Sequence, residues 1–170
     1  MAMNKATITD VASLLVEKFS PIALSLIGGV LIYNFKNDIC HMVTIQSLNL
    51  SNLYNAVLSW ASIQIGFAFG AYGFILGKTQ GFIESIRDTV AMQRLLVYVK
   101  RATHGGFLLT FTSIPLSVAT PMPTTADSLK FHLIAAWFVL FLWTFFAFLR
   151  VAFNFGHITA VRDRQPFHGA

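Results

Sequence analysis

Residues 53–77 read LYNAVLSWASIQIGFAFGAYGFILG, twenty-five positions without a charged side chain. A bilayer's hydrocarbon core is about 30 Å thick and takes about 20 helical residues to cross. The stretch is long enough to span it as one helix, the form that satisfies the backbone amides where no water is present. Within it Gly66, Gly70, Gly73 and Gly77 stand at i, i+4, i+7 and i+11, with Ser62 one step earlier. Those positions share a helical face about three turns long. Lipid gives helices no hydrophobic reason to associate, so faces of small side chains, which admit a close neighbour, supply the contact instead. This face is therefore expected to meet another helix, either within the chain, with Gly28 and Gly29 as a groove, or in a second copy.

The rest of the chain has the same character. Of 170 residues, 55% are hydrophobic and 11% charged, against about 25% charged in soluble domains; the mean hydropathy is +0.65. That balance excludes a soluble monomer. With 17 Phe and one Cys, disorder and disulfide-scaffold classes fail as well. Three further stretches read as spans. Residues 21–35 (PIALSLIGGVLIYNF) are short, and an amphipathic lead-in from Asp10 to Phe19 extends them, with Glu17 and Lys18 at the interface. Residues 105–120 carry Pro115 inside and are followed by Pro121 and Pro123, which predicts a kinked or short crossing. Residues 131–155 form the most aromatic segment, with Trp137, Trp143 and a string of Phe, interrupted by Arg150. The expected architecture is all-α: one transmembrane domain over 1–170, a four-helix bundle with an amphipathic N-terminal helix and a cytoplasmic helical extension between spans two and three. The N-terminal stretch lacks the basic start and plain apolar run of a cleaved signal peptide, so no removal is expected.

Charge sets the orientation. Four spans put both termini and the 78–103 connection on one side, where Lys5, Lys18, Lys78, Arg87, Arg94, Lys100, Arg101, Arg162 and Arg164 lie; the other side holds Lys36 and Lys130. Nine against two places both termini in the cytoplasm. The net charge of +5 and pI near 9.7 come from these flanks. No basic run exceeds Lys100-Arg101, so direct nucleic-acid binding is not expected. The cytoplasmic segment 79–102 reads as helix, with Phe82, Ile86, Val90, Gln93 and Val97 near one another at helical spacing and Ile83, Leu95, Leu96 and Val99 broadening the face. With no Pro between Leu53 and Ile114, spans two and three can run on past the membrane as a helical hairpin projecting into the cytosol; otherwise the segment lies flat on anionic lipid or binds a cytosolic protein. The residues expected to do the latter are Phe82, Ile86, Arg87, Val90, Arg94 and Val97.

Chemistry-bearing residues are few. Arg150 sits inside a predicted span, where a charge must snorkel, pair or face water. Five residues from the cytoplasmic end, it can snorkel, or it can form, with Asn154, a cationic ring in a pore or an assembly contact. His104 with His157 and His41 with His132 share the two boundaries, the arrangement a bis-His haem b would need. All four also sit where interfacial histidine is common, and no HxxxH, HExxH or Cys/His cluster supports a metal. No cofactor is therefore expected, with haem the alternative. Cys40, the lone thiol, can pair only with another chain. The spacing of Arg150 to His157 loosely matches a ribonuclease pattern and Asn49-Leu50-Ser51 a glycosylation acceptor, yet the first ends a membrane helix and the second is a three-residue match. No nucleophile with a partnered base appears, so the chain is not expected to be an enzyme.

With the glycine face, the basic cytoplasmic hairpin and the Phe-rich last span, the chain resembles the small four-span membrane proteins encoded with prokaryotic anti-phage systems, CRISPR-associated accessories among them. The resemblance is one of layout. It implies an oligomer in the inner membrane that forms or gates a pore, or senses membrane state, when a cytosolic partner signals infection. The alternatives carried with it are a structural subunit of a larger membrane complex and a haem electron carrier.

Overall fold

A computed structural model describes residues 5–77, 86, 88–123 and 125–159, with side-chain surroundings from 19 to 157 within those limits. Five helices are described: α1 (Lys5–Asn34), α2 (Lys36–Thr44), α3 (Leu50–Gly77), α4 (Val90–Ala119) and α5 (Leu129–Thr159). Among the described residues there is no strand. By length and composition α3 and α5 can each cross a membrane, and α1 with α2 makes a third candidate, bent by 67° at its break.

Local chemistry places the ends. At the bend, Phe35 N–H still donates to Leu31 O and Ile39 N–H to Phe35 O, each at 3.0 Å, so the backbone stays satisfied where charged Lys36 and Asp38 begin. After α2, Gln46 adopts φ 58°, and Leu48 N–H reaches back to Met42 O at 3.1 Å, closing the last carbonyls. Asn49 Oδ1 accepts from Asn52 N–H at 3.1 Å to start α3. Thr89 Oγ1 accepts from Met92 N–H at 3.3 Å to start α4, and Ser128 Oγ accepts from Phe131 N–H at 3.3 Å to start α5. Each is the side-chain cap an orphan N–H needs. α4 ends at Thr120, left-handed at φ 39°, directly before Pro121, which cannot continue a helix.

The expected third span and most of the expected cytoplasmic helix are thus one element: α4 runs unbroken from Val90 through Pro115 to Ala119. α3 and α4 pack on each other as the two arms of a hairpin. The first span likewise belongs to a longer helix, α1.

Packing follows a seven-residue register. α3 buries Tyr54, Val57, Ala61, Gln64, Ala68, Ala71 and Ile75; α4 buries Met92, Leu95, Val99, Ala102, Gly106, Leu109 and Ser113. Both sets alternate steps of three and four, the spacing of a left-handed supercoiled pair. α5 packs on α4 and α1. It meets α3 mainly through rings: Trp60, Phe67 and Phe74, seven residues apart, lie against Phe145, Phe148 and Phe155 with centroids 5.1–5.8 Å apart. On the described part of α1, Leu26, Ile27, Val30 and Leu31 are all at least half exposed.

The glycines that the packing uses are not those of the predicted stripe. A methyl added at Gly105 would lie 2.9 Å from Thr144 Cγ2 and 3.2 Å from the Trp143 ring; one at Gly106 would lie 2.9 Å from Ile65 Cγ1. Gly28 and Gly29 face Leu142 and Val139 of α5 rather than α3. Around Gly66, Gly70, Gly73 and Gly77 a methyl would meet nothing within 4 Å. They sit two residues on from Gln64, Ala68, Ala71 and Ile75, about 200° round the helix, and so face away from α4. Of the two expectations for this stripe, contact inside the chain is not seen among the described residues, which leaves contact with a second copy.

Gly105→Ala should therefore lower the stability of the detergent-solubilised monomer by about 1–3 kcal/mol, the usual cost of overpacking. Gly70→Ala should cause no loss. Unfolding by titration with a denaturing detergent distinguishes the two.

Candidate functional site

Cross-helix contacts put the polar residues into two levels. At one end Arg150 of α5 places its guanidinium 3.7 Å from the ring centroid of Tyr98 on α4. This brings it level with exposed Lys100 and Arg101, and with His104, whose Nδ1 lies 2.7 Å from Lys100 O. A cation over a ring is worth about 0.5–2 kcal/mol, more as water is removed. The arrangement gives a partly buried arginine a partner within its own chain. Asn154, expected beside it, lies one turn further along α5. At the other end Lys36 Nζ lies 2.6 Å from Asp127 Oδ1, joining the start of α2 to the α4–α5 connection, with Lys130 and His132 exposed nearby. Ser117 donates to Asn55 Oδ1 at this end, and Tyr54 OH donates to Pro121 O at 3.1 Å. Twenty residues of α5 separate Lys130 from Arg150, about 30 Å of helical rise.

Between these levels the interior is filled. Tyr54 and Trp137 meet edge to face with centroids 5.2 Å apart; Trp137 Nε1–H donates to Ser113 Oγ at 3.0 Å, which in turn donates to Leu109 O at 2.6 Å. Gln64, wholly buried, donates from Nε2 to Ala102 O at 3.0 Å. Other hydroxyls turn back on their own helices: Thr103 to Val99 O, Thr110 to Gly106 O and Thr144 to Phe141 O. That is how a hydroxyl is satisfied away from water. Sequence reading missed this set, although the register of α4 from Met92 to Ser113 and the adjacent Gly105-Gly106 were signals for it.

Of the expected partner-binding residues, Val90, Arg94 and Val97 share an exposed face of α4, with Val90 65% and Val97 47% exposed. Ile86 is half-buried and packs against the Met92–Val99 cluster; Phe82 and Arg87 lie outside the described residues. Leu95 and Val99, expected to broaden the same face, are buried against α3 instead. The segment is thus one arm of a packed hairpin rather than a separate surface helix. The assembly candidates Ser62, Gly66, Gly70, Gly73 and Gly77 are all exposed. Among the histidines, His132 Nδ1 lies 3.0 Å from Ser128 O, and His157 stacks near Phe153. Among the described residues no three His, Cys, Asp or Glu side chains converge as a metal site.

Comparison with protein-family models, with curated proteins and with solved structures gives no match.

The Lys36–Asp127 pair has a directional pH signature. The hydrogen bond and charge of Lys36 hold the Asp127 carboxyl below its ordinary 3.8. The same bond holds Lys36 above its ordinary 10.5. Asp127's contribution is full above 3.8 and is lost as pH falls through its lowered value; that of Lys36 is full below 10.5 and is lost as pH rises through its raised value. Asp127→Asn should thus lower thermal stability at neutral pH and narrow the loss that the native protein shows on acidification below 3.8. The effect should be small, because both side chains meet water. Melting curves of both proteins at the two pH values check it.

Proposed function

We propose that the chain is a four-span protein of a prokaryotic inner membrane, with both termini cytoplasmic, that works as one subunit of an assembly. The observation that carries this reading is the uncovered face of α3: at Gly66, Gly70 and Gly73, about two smooth turns of an apolar helix, an added methyl would meet nothing within 4 Å among the described residues. In hydrocarbon such a face gains most from a second helix, since only close backbone approach distinguishes protein from lipid there. The two polar levels support the crossing. They stand about 30 Å apart along α5, and the larger share of the cations lies with Arg94, Lys100, Arg101 and Arg150.

In this reading α4 crosses with its apolar half, 105–119, and continues past the interface as the basic half that packs along α3. Its exposed Val90, Arg94 and Val97 are the surface for a cytosolic protein or anionic headgroups. The bundle's own interior is plugged by Trp137, Tyr54 and Phe rings, so a pore would run between subunits. The role that fits, and that the anti-phage accessories of similar layout imply, is a pore-forming or membrane-sensing effector answering a cytosolic signal. A structural subunit of a larger membrane complex shares the glycine-face argument and differs in what covers it.

Mass measurement in mild detergent tests the assembly: Gly70→Leu and Gly73→Leu should shift the protein toward monomer while its helix content is kept. A native protein that is strictly monomeric and partner-free removes the pore reading. For orientation, a Cys40→Ser background carrying Asn37→Cys should react with an impermeant maleimide on intact cells. The same background carrying Asp88→Cys should react only after lysis, and the reverse pattern overturns the topology.

A further inference from the structure

An apolar, laterally open cavity of about 240 Å³ lies in the angle between α1 and α2, flanked by the start of α3 and the first three turns of α5. Its walls include Ile32, Ile39, Leu53, Phe131, Ile134 and Phe138, and no polar side chain lines it. An opening of this kind holds no water, for nothing in it can hydrogen-bond. Left empty it would forgo dispersion contact on every wall. Small polar metabolites need a few convergent polar groups for orientation, which these walls do not supply.

Position narrows the occupant further. The α5 residues of the wall begin one position after Lys130 and extend about 10 Å along the helix. The Lys36–Asp127 pair stands at the same end, with Lys36 four residues after Ile32 and three before Ile39, and Asp127 four before Phe131. Charges at the headgroup level thus sit directly beside a slot that descends into the hydrocarbon level. We propose that this cavity receives one acyl chain of a phospholipid from the leaflet on the Lys36 and Lys130 side, with the phosphate beside these lysines. The bend between α1 and α2 creates the site: a straight continuation of α1 would leave no roof over Phe131 and Ile134.

The inference rests on the membrane-crossing reading, and its test separates the two. The full chain is reconstituted in bilayer discs containing phosphatidylglycerol with a photoreactive diazirine on its acyl chain, illuminated and mapped by peptide mass. Adducts should concentrate on Phe131–Phe138 and Leu53. Ala135→Phe, which fills the slot, should reduce them about tenfold, the factor that about 1.4 kcal/mol of affinity produces. Leu53→Trp fills it from the opposite wall and should act alike, so that a folding failure of one variant does not end the test. Adducts on lipid-facing Ile63 and Phe69 of α3 with none in the slot, or equal labelling in filled and native proteins, overturn the acyl-chain site alone. Adducts on no helix at all overturn the membrane reading with it.

Discussion

In hydrocarbon a helix gains nothing by hiding a leucine from lipid, so this bundle depends on how closely its backbones can approach. The approach occurs where α4 passes between α3 and α5. On α3, Gln64 reaches Ala102 O, Ile65 lies against Gly106, and Ala68 shares a buried cluster with Ala102, while Gly105 on the next position admits Thr144 and Trp143 of α5. Two adjacent glycines thus serve two neighbours, one on each side of the helix. Once α4 is held, the rings of Trp60, Phe67 and Phe74 fill the wider gap between α3 and α5. α1 then docks on the remaining face of α5 through Gly28 and Gly29.

Polar side chains follow the same constraint. Inside the bundle Ser113 and Thr144 donate to carbonyls of their own helix and Gln64 Nε2 to one on α4, while Gln64 Oε1 and Trp60 Nε1 are buried without a hydrogen-bond partner among the described residues. Such bonds are worth about 0.6 kcal/mol on average in membrane helices; their larger effect is to hold register, since a slip would leave the amide of Gln64 without its acceptor. Charged groups are kept to the ends. Arg150 stays near one end and lays its guanidinium on Tyr98, and the pair of Lys36 with Asp127 ties the other end together.

The surfaces left over are the ones on which the proposed assembly rests. α3 turns a smooth glycine face outward, α4 carries exposed Val90, Arg94 and Val97 beyond the apolar half, and α1 offers aliphatic side chains on most of its circumference. The first needs a helix to be covered, the second suits a charged aqueous partner, and the third suits lipid.

The helices were legible because their cause is local. Twenty or more apolar residues bounded by charges and prolines specify a helix wherever water is absent, and Asn49, Thr89 and Ser128 mark starts that a side-chain cap explains. The exposed part of the α4 face was legible for the same reason. Which small residues meet which helix was not. Gly70 and Gly106 look alike in a sequence, and the choice between them turned on which side of α3 the hairpin folded back upon, a matter of how Ala68 and Met92 fit together. The partner of Arg150 was hidden because Tyr98 is fifty-two positions away. The slot under α2 was hidden because a 67° bend makes it from residues on four helices. Periodicity along one chain therefore determined that the apolar stretches are helical, but neither α2 nor the full lengths of α1 and α4. Contact, cavity and the face left bare required the tertiary structure, because each depends on the rotation of one helix against another, which no single helix encodes.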